Sequence, residues 1–147
     1  MIMVIVIMSI LASVGSTMIS NTMKSYFMSR DIVPLSNQGH VIMERMVREL
    51  QEGQCATVSN PGGGTDDLQF DDADSPANTI QFSQTDTEIF MDSDILGQNI
   101  QAGSLTFNID TSKCYVQLRF VLEYTLSDFA GGGTIEIPFQ TGVHMRN

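Results

Sequence analysis

The chain has 147 residues, 42% of them apolar, which suits one domain plus an extended element and is too apolar for a disordered chain. With 17 acidic against 7 basic residues its formal net charge is −10, which excludes a basic phosphate-binding surface and leaves nucleic acid outside its expected partners. Nine of the acidic residues fall between Asp66 and Asp94, and no Lys or Arg occurs between Arg48 and Lys113, so this stretch predicts a solvated acidic surface.

The first 19 residues carry no charge. Met1, Ile2, Val4, Ile5, Ile7, Met8, Leu11 and Val14 dominate the run, and only Ser9, Ser13, Ser16 and Thr17 interrupt it. Its β-branched residues would suit a buried strand, but the run is too long for one. About one bilayer thickness of apolar helix fits better, because in lipid a helix satisfies its own backbone groups. We therefore expect a transmembrane helix over residues 1–24.

Residues 25–53 continue the helical pattern in amphipathic form. Ile42, Met43, Met46, Val47 and Leu50 share one face, and Glu44, Arg45, Arg48 and Glu49 lie elsewhere. Glu44 and Arg48 add a favourable four-residue pairing. Pro34 predicts a kink or local break near 32–35, and Gly53 an end. An unbroken helix of this span is about 75 Å long, more than a small domain can cover, so part of it must find partners in lipid or in other chains.

From Asn60 the composition turns to Gly, Asp, Asn, Ser and Thr around short apolar runs. Residues 61–67 read as a loop, and 68–70, 79–83, 88–91 and 104–109 as short strands. The clearest strand is 114–126, where Cys114, Val116, Leu118, Phe120, Leu122, Tyr124 and Leu126 alternate with Tyr115, Gln117, Arg119, Val121, Glu123 and Thr125. After a flexible Gly131, Gly132 and Gly133, a last strand sets Ile135, Ile137, Phe139, Val143 and Met145 against Glu136, Gln140, His144 and Arg146. These two strands predict an antiparallel hairpin. The fold class expected is α+β: a long N-terminal helix, part membrane and part amphipathic, packed through Ile42, Met46 and Leu50 on an antiparallel sheet spanning 54–147.

Cys55 and Cys114 form an even count in a chain whose apolar start puts the remainder outside the cytoplasm. They read as a disulfide or as two buried thiols. Only His40 and His144 could serve as general bases, and neither neighbours a nucleophile signature, so no catalytic residue is nominated and the chain does not read as an enzyme. The segment Asp-Asp-Leu-Gln-Phe-Asp-Asp-Ala-Asp could offer oxygens to calcium, but it lacks the spacing of an EF-hand and reads as an acidic loop. Gly62, Gly63 and Gly64 lack the Lys-Ser or Lys-Thr of a phosphate loop. No cofactor and no metal is expected.

The run MIMVIVIMSILASVGS resembles the N-terminal helix of the type IV pilin superfamily, pseudopilins of type II secretion included, just after that family's Phe-Thr-Leu-Ile-Glu start. VIMERMVRELQE and the closing GVHMRN resemble the helix end and last strand of minor pilins of the MSHA type and of related W-type and J-type subunits. The resemblance implies a subunit held in the bacterial inner membrane by one helix, its domain in the periplasm, and then assembled into a pilus. Its implied partners are other major and minor pilin subunits, and its implied position is the tip or the start of assembly. The family's leader, its peptidase-site glycine, its methylated first residue and its early glutamate have no counterpart here. The resemblance therefore implies an upstream start processed by prepilin peptidase, or else a degenerate subunit. A minor pseudopilin and a signal-anchored periplasmic binding domain that never polymerises are the other readings.

Overall fold

A computed structural model describes residues 2–126 and 133–146, so Met1 and the expected flexible Gly131 and Gly132 lie outside the described residues. Helix α1 runs unbroken over Ile2–Glu52, 51 residues, with Pro34 inside it. The break expected near 32–35 does not occur. Proline removes one N–H and crowds one carbonyl, but its fixed φ is already helical, and the good helix formers from Met43 to Gln51 carry the pattern on. Residues 1–36 and 37–147 form two compact units.

In the second unit, α1 ends at a glycine for reasons of space. A β-carbon on Gly53 would run into the Phe70 ring and the Met145 side chain. The backbone there is tied on both sides. Ala73 N–H donates to Glu52 O (3.0 Å), Gln54 N–H to Asp71 O (2.8 Å), and Cys55 N–H to Arg146 O (3.0 Å). A single 3-10 turn, Cys55–Thr57, follows.

The strands form two antiparallel sheets, where one was expected. The first is a meander of β1 (Leu68–Asp71), β2 (Thr79–Thr85), β3 (Glu88–Met91) and β4 (Asp94–Gly97), in that order. Asp86 and Asp92, both at positive φ, make its two tight turns, a conformation that aspartate tolerates better than most side chains. The second sheet is β5 (Thr106–Asp110), β6 (Tyr115–Leu126) and β7 (Gly133–His144). Strand β6 pairs with β7 from Tyr115↔His144 to Leu126↔Gly133, so the predicted hairpin is present. Pro138 sits in β7, an edge strand, where a missing N–H interrupts no ladder on the outer side.

Two expectations for 114–126 need correction. Cys114 does not begin the strand; it belongs to the preceding turn with φ 52°. Val121, assigned to the solvent face, is buried. Strand β5 pairs only with residues 115–119, and beyond it residues 99–104 close over β6. Gln101 N–H donates to Val121 O, Glu123 N–H to Asn99 O, and the Ser104 hydroxyl accepts from Val121 N–H. Ile100 links the sheets, since its N–H reaches Thr87 O at 2.9 Å while it bridges to Leu122.

The core collects Leu68, Phe70, Phe82 and Ile89 from the first sheet, and Phe107, Val116, Leu118, Phe120 and Leu122 from the second, with Ile100 and Leu105 between. The Phe82 ring lies 5.8 Å from Phe70 and 6.3 Å from Phe107, so aromatic packing crosses from sheet to sheet. No charged or polar side chain is fully buried among the described residues.

Candidate functional site

Three features carry chemistry: the apolar half of α1, the covalent tie at its end, and a groove on the second sheet. Over Val6–Met23 the helix is long and apolar enough to cross a membrane, and none of that window is buried within the protein. Val4, Ile7, Met8, Leu11 and Val14 all stand exposed, Met8 at 66% and Leu11 at 63%. The backbone of Ile2 and Ile5 is helical. Two hydroxyls in this stretch turn inward on the helix, Thr17 donating to Val14 O (2.8 Å) and Thr22 to Met18 O (2.9 Å). A polar group satisfied by its own helix asks nothing of its surroundings, so these residues do not oppose an apolar solvent.

In the second unit, Ile42, Met46 and Leu50 are each at most 1% exposed. Gly39 and Gly53 extend that buried row in both directions, and sequence reasoning missed Gly39. A β-carbon there would collide with the Phe139 ring and the Leu122 side chain. Ile42 likewise occupies the space a side chain at Gly97 would need. The signal was available: Gly39 stands three residues before Ile42 and so falls on the same face. His40 meets Phe139 edge-on, 5.4 Å between ring centroids.

Cys55 and Cys114 are joined in a disulfide, with Cα atoms 5.3 Å apart. It fastens the turn after the helix to the turn before β6. Around that turn Asp110 is closely held: its carboxylate accepts from the Ser112 hydroxyl and the Ser112 N–H (3.2 Å), and Lys113 Nζ lies 3.1 Å away. The Ser112 hydroxyl, then Lys113, hold the Asp110 carboxyl below its ordinary value of 3.8.

This turn forms the rim of an open groove of about 830 Å³ on the outward face of the second sheet. Asn108, Tyr115, Gln117 and His144 line its floor and walls, and Tyr115 and His144 pair across strands with ring centroids 5.1 Å apart. The Tyr115 ring lies over Gly142, where any β-carbon would strike it. Nothing in the period-two reading of these strands announced a concavity, because a groove on a sheet face depends on which neighbours lack side chains.

The acidic loop is differently organised. The Asp67 carboxylate folds against Gly62 and that of Asp66 against Gly64, and Asn60 Nδ2 donates to Gly64 O at 3.0 Å. Among the described residues no three of His, Cys, Asp and Glu converge as a metal ion requires. No known family, no curated protein and no solved structure matches the chain.

Proposed function

We propose that the chain is a structural subunit of the type IV pilin class, a minor pilin held in the inner membrane by α1 before it joins a filament. One observation carries the reading: a single 51-residue helix whose first half exposes an apolar surface over Val6–Met23 and whose last turns belong to a disulfide-bonded β domain. An apolar surface of that length is stable in water only when lipid or other chains cover it. In this reading the bilayer covers it first, and equivalent helices of neighbouring subunits cover it after assembly. The buried row Gly39, Ile42, Met46 and Leu50, with the Phe139 ring at Gly39, supports the helix lying as the cover of the β domain. In this reading assembly, not turnover of a substrate, is the mechanism.

The test is a Leu11→Lys substitution in the full-length protein in its own cells. A lysine at the centre of an inserted helix costs about 2.5 to 3.5 kcal/mol. The expected outcome is loss of the chain from membrane and sheared-filament fractions while its disulfide still forms. Undiminished incorporation of the variant, read by immunoblot of sheared filaments, rejects the reading.

A further inference from the structure

We infer that the outward face of β5, β6 and β7 is a binding site for a neutral saccharide, seated in the groove between Asn108, Gln117 and the Tyr115–His144 pair. The inference is separate from the assembly role and would hold whatever α1 packs against. The side-chain amides of Asn108 and Gln117 hydrogen-bond to no described residue and stand directly opposite one another in the β5–β6 register. Each amide offers a carbonyl acceptor and an NH₂ donor at a spacing that matches two adjacent hydroxyls of a sugar ring.

The third position of that row is Gly142, opposite Gln117. Its missing side chain leaves the floor low, and the Tyr115 ring leans across it. A half-buried tyrosine beside free amides supplies an apolar surface for the C–H face of a pyranose while the amides take its hydroxyls. Charge narrows the class further. The groove's one carboxylate, Asp110, is occupied by Ser112 and Lys113, and that contact occupies its one lysine as well, so the rim is neutral. An anionic sugar would also meet a protein of net charge −10. The disulfide at Cys114 fastens the rim turn, and Cys55 Sγ lies 3.7 Å from Thr111 O, so the groove is formed before any ligand arrives. Its volume lies within the range that holds a ligand of a few rings, and its openness to solvent points to weak binding.

Full-length protein in lipid nanodiscs, free of glycoside detergents, is titrated with cellotriose, maltotriose and trigalacturonate and followed by NMR. At least one of the two neutral trisaccharides is expected to saturate with a dissociation constant on the order of 1 mM. Gln117→Leu and Asn108→Leu, both at solvent-facing positions, should each weaken it about tenfold or more, and Asp94→Asn on the other sheet should leave it unchanged. Tyr115→Ala should abolish it; because that side chain also packs on Gly142, the two leucine variants carry the decision. Failure of both neutral sugars to saturate overturns the inference. So does binding unaffected by both leucine variants, or tighter binding of trigalacturonate.

Discussion

At Gly39 two residue-scale effects oppose each other. Replacing a helical glycine by alanine gains about 1 kcal/mol of helix propensity. The new methyl, however, lands on the Phe139 ring and Leu122, and overpacking of that kind costs about 1 to 3 kcal/mol. Gly39→Ala should therefore lower the melting temperature, and Gly39→Val should lower it further, whereas Gly63→Ala would report only on the strain of a positive φ in open space. Asp110 gives a second test. Its folded pKa lies below 3.8, so the stability it contributes is present above that value and is lost as the pH falls through the folded pKa. Ser112→Ala removes the largest cause, and the Asp110 carboxyl measured by NMR should titrate closer to 3.8. An unchanged titration would assign the depression to Lys113 alone.

Among elements, α1 shows what sequence can and cannot report. Charge-free composition marked its first half and a 3.6-residue period its second, but Pro34 argued for a break that the neighbouring hydrogen bonds override. Pro34→Ala should raise helical content and stability by up to about 3 kcal/mol, since the exposed ring makes no buried contact to lose. Strands β6 and β7 were legible because Val116, Leu118, Phe120 and Leu122 recur at every second position, broken only by the buried Val121 among their neighbours, and Phe139, Val143 and Met145 answer them. Strand β4 was not: Ile95 and Leu96 are adjacent, so its four residues carry no alternation, and a bulge at Ile89 and Phe90 shifts its register. The division into two sheets was equally hidden, because residues 99–104 close over β6 mostly through backbone bonds that carry no sequence pattern. Of the candidate groove only the polar identity of Asn108 and Gln117 was visible; that they face one another is a property of register. The cysteine pair was legible as a disulfide or as two buried thiols, and the structure joins Cys55 to Cys114. Replacing both with serine should cost about 4 kcal/mol on the chain-entropy account of a loop with sequence separation 59, measured by chemical denaturation against the oxidised protein.

For the molecule as a whole, the exposed span Val6–Met23 predicts that the full chain sediments with membranes and leaves them only in detergent. Recovery of a monodisperse full-length monomer from detergent-free buffer would count against both the anchor and the filament reading. The position of the disulfide has a mechanical consequence. Cys55 follows the helix by three residues and Cys114 directly precedes β6, so the bond closes a ring that contains the whole four-stranded sheet and β5. Tension applied between α1 and the C-terminal hairpin travels from Cys55 to Cys114 through sulfur, and the enclosed sheet is never stretched. In an optical trap, pulling on α1 and the C-terminus, the oxidised chain should unravel to a contour about 200 Å shorter than the reduced chain, at about 3.5 Å for each residue in the ring. A chain built this way can be pulled open at its hairpin while the load bypasses the strands inside the ring.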